Sequence, residues 1–192
     1  MNRKILSFAL FSLLSFNLQA KTLADVSLSD ETLVAGETLK LNGAGIRTKF
    51  VFDIYVAAFY TREPVSKLED LIVSDQPMRM AMHFVYDEVS KEKLVDGWNE
   101  GFDDNLSDEQ LNKLKPRIKL FNGLFKTVRK GDVILLDYVP GKGTLVTINH
   151  KNIGAVTGAE FYHALLMIWL GENPVGDDLK SALLGQIESD DE

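Results

Sequence analysis

Leu41-Asn42-Gly43-Ala44-Gly45-Ile46-Arg47-Thr48-Lys49-Phe50-Val51-Phe52-Asp53-Ile54-Tyr55-Val56-Ala57-Ala58-Phe59-Tyr60 is the stretch on which the fold turns. Its second half is dense in β-branched and aromatic residues, which fit a pleated, packed surface. Two early strands are expected, Thr38 to Ile46 and Lys49 to Thr61, separated by a glycine-containing bend. In the second, the even positions Phe50, Phe52, Ile54, Val56, Ala58 and Tyr60 are nearly all apolar, while Lys49, Val51, Asp53, Tyr55, Ala57 and Phe59 are mixed. With side chains alternating along a strand, one face belongs to a core and the other meets something less uniform.

Downstream the period-2 pattern returns in Met78, Met80, Met82, Phe84 and Tyr86. The period then changes. Ser90 is an N-cap for a helix whose stripe is Leu94, Trp98 and Phe102, and Ser107 with Gln110 forms a capping box before Leu111, Leu114, Ile118 and Phe121. Pro116 falls inside the second helical stretch and should kink or split it. Asp132 to Val139 and Thr144 to Ile148 flank Pro140-Gly141-Lys142-Gly143, a hairpin signal, and the Asn-containing bend around His150 to Asn152 adds a further short strand to the expectation. Thr157 and Glu160 read as a further capping box for a helix from near Ala159 to Gly171, apolar nearly all round and therefore buried. A last helix is expected from about Asp177 to Leu184. Strands first, helices next, then a hairpin and more helices indicate an α+β domain, an antiparallel sheet with helices on one face.

At the start of the chain, Arg3 and Lys4 precede an apolar run from Ile5 to Phe16, and Asn17, Leu18 and Gln19 lead to the small Ala20. This is the tripartite pattern of a cleaved secretory signal peptide, too short to span a hydrocarbon core of about 30 Å. Residues 1–20 are therefore set apart from one domain covering 21–192, in the periplasm or outside the cell and without a stable membrane anchor. The chain of 192 residues has 21 Lys+Arg against 28 Asp+Glu; without Arg3 and Lys4 the 19 remaining bases leave a formal charge of −9. Clustered bases are missing, which argues against nucleic acid as a partner. With no cysteine, disulfides, thiol chemistry and lipidation at cysteine are excluded.

Phosphate-binding motifs fail on spacing. Gly43-Ala44-Gly45 lacks the third glycine of a dinucleotide fingerprint, and Gly141-Lys142-Gly143 lacks the upstream part of a P-loop. His83, His150 and His163 are far apart in sequence, so no metal or other cofactor is implied. His163, one turn after Glu160, reads as a helix edge or as an acid–base group, and the methionine row as core or as the wall of a cavity. Arg47, set after two glycines beside a partly apolar strand, is either a surface ion-pair residue or a planar fork for a carboxylate or a developing oxyanion.

The segment from Gly43 to Tyr60 resembles the opening motif of the chalcone isomerase-like family, a Gly-Ala-Gly-x-Arg bend before a hydrophobic strand. Gly154, Phe161, Leu165, Leu166, Trp169, Leu170, Gly171, Pro174 and Val175, continuing through Asp178, Leu179, Lys180, Leu183, Leu184 and Gly185, resemble the C-terminal block of its bacterial, exported branch. Lys93, Leu94, Trp98 and Gly101 resemble its middle block. The resemblance implies an open-faced β-sandwich, a large antiparallel sheet under a helical layer with an apolar cleft. Family members include plant flavanone-forming isomerases and fatty-acid binders without catalysis. Arg47 matches the arginine that faces the anionic part of the ligand, and Tyr55 falls where the isomerases carry a threonine on the cleft-lining strand. Because this segment is several residues shorter than in the plant enzymes, Tyr60 is the alternative partner. Tyr86 and Asn99 are the nearest types to the tyrosine and asparagine that those enzymes use on their middle helices.

One arginine cannot position a phenolate, an alkene and a developing enolate together. The expected function is therefore non-catalytic binding of a hydrophobic, carboxylate-bearing small molecule such as a fatty acid, with Arg47, Tyr55 and Tyr60 as candidate ligand-binding residues. The alternative is a chalcone isomerase-like intramolecular lyase acting on an aromatic or enone substrate in the same cleft.

Overall fold

The computed structural model describes residues 21–72 and 75–186. The signal peptide expected over residues 1–20 and the acidic stretch from Ser189 to Glu192 lie outside the described residues. The chain opens with β1 (Lys21–Leu23) and β2 (Val26–Leu28), a small hairpin, then β3 (Glu31–Val34), β4 (Glu37–Lys49) and β5 (Phe52–Thr61). A short helix α1 (Leu68–Ile72) leads to β6 (Met78–Phe84) and β7 (Glu88–Val89). The helices α2 (Lys91–Asn105) and α3 (Asp108–Gly123) follow, then β8 (Val128–Arg129), β9 (Val133–Val139), β10 (Gly143–Ile148) and β11 (Lys151–Val156). The helices α4 (Ala159–Leu170) and α5 (Asp177–Leu183) close the described chain.

Seven of these strands make one antiparallel sheet in the order β11-β10-β9-β6-β5-β4-β3. The helices lie on one face of it, the α+β open-faced sandwich expected from the sequence. Both faces of β5 are buried. Tyr55, Ala57 and Phe59, on the side read as mixed, face the helices together with Met78, Met80, Met82 and Phe84. Val56, Ala58 and Tyr60 face the opposite side, where Leu28, Val34 and Leu39 cover them. The apolar even positions thus split: the inner three are core, while Phe50 and Phe52 stand exposed at the turn.

The caps of α2 and α3 form as the sequence predicts, Ser90 accepting from the Lys93 amide and Ser107 completing its box with Gln110. Pro116 does not split α3. Its missing N–H deprives the carbonyl of Asn112, and both residues are exposed, so water replaces the lost bond. Helix α4 begins one residue later than a Thr157 cap requires. Gly158 is the N-cap at φ 98° with no side-chain bond, and Glu160 is drawn instead to Arg117 of α3 at 2.7 Å. The expected burial of α4 holds for eight of its twelve residues, with Phe161, Leu165, Trp169 and their neighbours packed between the sheet, α2 and α5.

Gly43 and Gly45 do not make a bend. They lie inside β4, and α5 rests on them: a Cβ at Gly43 would collide with the Ala182 carbonyl oxygen, and one at Gly45 would stand 2.9 Å from Ala182 Cβ and 3.0 Å from Leu179 Cδ1. The chain reverses at Phe50 and Val51 instead. Helix and strand thus meet at backbone distance, which only glycine permits here.

Candidate functional site

The pairing of β4 with β5 sets Arg47 directly opposite Tyr55. Both therefore project to the helix face, and the half-buried Arg47 reaches the start of α5, its Nη1 3.8 Å from where a Cβ on Gly176 would sit. Arg47 Nη1 donates to the carbonyl of Thr48 at 2.7 Å. It makes no ion pair among the described residues. Most of its five N–H donors remain available.

Tyr55 is buried against Phe84, ring centroids 5.6 Å apart, and its hydroxyl oxygen accepts from Trp169 Nε1 at 3.0 Å. Burial pushes the phenol up to about 12, against the opposing pull of the Trp169 hydrogen bond and the Arg47 charge. The group is neutral in ordinary conditions, and with its oxygen already accepting, its own proton is left to donate. The guanidinium stands at the N-terminal end of α5, and the phenol lies opposite it across the β4–β5 pair, buried against Trp169. Chemically, the pair suits an acceptor oxygen, above all a carboxylate.

Tyr60 lies elsewhere. It projects to the opposite sheet face, donates to the Ser29 carbonyl at 3.0 Å and sits near Arg79. Alternation along β5 separates the two tyrosines, an odd number of residues apart. Arg79 is engaged by Asp137 through two bonds of 2.6 and 2.7 Å and by Thr32. Asn99 accepts from Asn122 at 2.7 Å, tying α2 to α3, and Tyr86 packs edge-on to Phe52. Neither joins Arg47.

His163 belongs to a separate cluster at the far end of the sheet. Tyr138 donates to Asp75 at 2.5 Å, stacks on Tyr162 and lies beside the His163 ring. Burial lowers the His163 pKa, opposed by Asp75 and Glu160. Among the described residues no group of three or more His, Cys, Asp or Glu could hold a metal ion.

The space between sheet and helices beside Tyr55 is filled by Trp169, Trp98 and Phe84. An open cleft of about 550 Å³ lies beyond the other end of α5, with Leu68, Met167, Leu170 and Leu184 among its apolar walls and Lys67, Lys180 and Glu69 among its charged ones. Arg47, Tyr55 and Tyr60 do not line it. Two features that the sequence did not reveal shape the site. Trp169 was legible as core but not as the partner of Tyr55, and Asn42, the extra residue of a bulge in β4, fixes α5 by donating to the Leu183 carbonyl at 2.8 Å.

A family model described as chalcone isomerase-like matches residues 20–185. The chain belongs to the chalcone isomerase-like family. Among solved structures, a fatty-acid binding protein of Arabidopsis thaliana is similar to it with a TM-score of 0.68 and 18% identity, covering 86% of this chain and 95% of that one. At that identity the likeness establishes the chalcone isomerase-like fold and nothing finer. No curated protein matches the chain in sequence.

Proposed function

We propose that the protein is a non-catalytic binder of a hydrophobic, carboxylate-bearing small molecule such as a fatty acid, acting in the periplasm or outside the cell once residues 1–20 are removed. One observation carries the reading: Arg47 and Tyr55 stand opposite each other on the helix face, and among the described residues no carboxylate pairs with Arg47. The shared fold of the plant fatty-acid binding protein supports the ligand class. The head group binds to Arg47 and Tyr55, and the apolar part enters between sheet and helices when α5 shifts. That helix has seven residues and no side-chain bond at its N-cap, so its first turn beside Arg47 can move while Asn42 and the buried Leu183 hold its other end.

Calorimetric titration with dodecanoic acid and dodecanol tests this. Arg47→Ala should weaken binding of the acid by about 10- to 150-fold, the loss of one charge-assisted contact, while the alcohol binds both forms alike. Arg47→Lys should recover part of the affinity, since an ammonium keeps the charge but not the fork. Equal losses for acid and alcohol, or no binding of either, would remove Arg47 from this role.

The cleft favours a second reading, because its volume falls within the range of about 300–1,000 Å³ usual for small-molecule sites. There the same ligand class lies beyond α5 with Lys67 and Lys180 at its carboxylate. Weakening by Lys180→Ala together with indifference to Arg47→Ala would select this site.

A further inference from the structure

Phe50, Val51 and Phe52 are 89%, 83% and 52% exposed, three consecutive large apolar side chains at the tip of the β4–β5 hairpin. A tight hairpin turn ordinarily carries glycine, asparagine or aspartate where φ is positive, and Phe50 has φ 60°. A bulky residue adopts that conformation only at a cost, and the fold recovers none of it through packing of the ring. Only Phe52 finds an aromatic neighbour among the described residues, Tyr86, with centroids 5.6 Å apart.

The charges around the tip are ordered. Arg47 and Lys49 precede it, and Asp53 follows it, its carboxylate accepting from the Thr48 hydroxyl at 2.8 Å. At the same end of the sheet, Glu88 is paired with Arg129 at 2.7 Å, Asp132 accepts from Asn149 at 2.7 Å, and Asp87 and Lys130 stand exposed as one acid and one base. The hairpin itself carries two cations, Arg47 and Lys49, against one carboxylate, Asp53, beside a convex apolar point.

We infer that this turn is a membrane-docking tip: Phe50, Val51 and Phe52 enter the interfacial layer of an anionic lipid bilayer, with Arg47 and Lys49 at the level of the phosphates and Tyr86 beside them. The three side chains project from a turn and form no groove, so a peptide has nothing to lie in. A fluid bilayer closes around such a protrusion, takes aromatic rings at its interface and attracts flanking cations. The contact is reversible, and no helix among the described residues is long and apolar enough to cross a membrane. It goes beyond ligand binding and stands without it, and it puts Arg47 at the boundary where an amphiphile passes between lipid and protein.

Flotation of the purified protein with vesicles of phosphatidylcholine and phosphatidylglycerol, no ligand added, tests the inference. The protein should float with these vesicles, less with phosphatidylcholine alone, and less at high salt. Phe50→Ser with Phe52→Ser should lower partitioning by about tenfold or more while leaving the thermal unfolding midpoint in place. Insertion is read separately in Phe50→Trp, whose emission should shift to the blue and be quenched by lipids brominated in their acyl chains. The native Trp98 and Trp169 are buried and give no such response. Failure of the wild type to float, equal flotation of the double variant, or an unchanged Phe50→Trp emission on vesicles overturns the docking tip. So does self-association that depends on Phe50 and Phe52 and replaces vesicle binding. Because no fatty acid is present, each of these results leaves the Arg47 titration untouched.

Discussion

Asn42 holds three pieces of chain together. Its amide donates to the carbonyls of Val65 and Leu183 at 2.9 and 2.8 Å, and its oxygen accepts from the Val65 amide at 2.7 Å. Asn42→Ala leaves these half-buried backbone groups unpaired, so a loss of about 2–4 kcal/mol is expected in urea unfolding. Tyr55 gives a second residue-level test. Its phenol is raised from 10.0 to about 12 by burial, so its contribution is whole below pH 10 and lost as the pH climbs towards 12. At pH 11 the wild type should have lost about 1.4 kcal/mol more than Tyr55→Phe, relative to pH 8. Arg47 and Tyr55 could be singled out in the sequence because their motif is local. Asn42 could not: an extra residue in a strand exists only relative to its neighbour, and three of its contacts come from segments that no local pattern connects to it.

Among the elements, α4 and α5 do different work. Trp169→Ala should cost on the order of 3–5 kcal/mol, since the indole is fully buried and also bonds Tyr55; a loss below about 1 kcal/mol would show that α4 is not central. Gly43→Ala should instead release α5 by forcing a methyl group into the Ala182 carbonyl, seen as faster proteolysis around residues 176–186 with the sheet intact. The helices and strands were legible because their apolar periods, 3.6 and 2, are properties of consecutive residues. Local signals misled where a distant group intervened. Glu160 could have completed a box with Thr157 but meets Arg117, forty-three positions away along the chain. The glycines of β4 look like a turn until the helix that needs them is seen.

Across the whole molecule, all but one of the pairings in the seven-stranded sheet join strands that follow each other in the chain. β6 pairs with β9 around the whole α2–α3 excursion, and the fold class follows from element order even though this pairing does not. Removal of residues 1–20 would leave Lys21, the first residue of β1, as the amino terminus. N-terminal sequencing of the exported protein should begin there, and an uncleaved chain in the membrane fraction would contradict export by this route.

The bond from Asn42 to the Leu183 carbonyl joins positions 141 residues apart. A chain made or threaded from its amino terminus presents β4 early and α5 almost last. The glycine strip of β4 therefore stays bare through most of synthesis, and closing so long a loop has to wait for its final segment. A stalled or clipped polypeptide that ends before Gly176 keeps Arg47 but not the helix beside it, so only a chain that extends through α5 completes the proposed binding site.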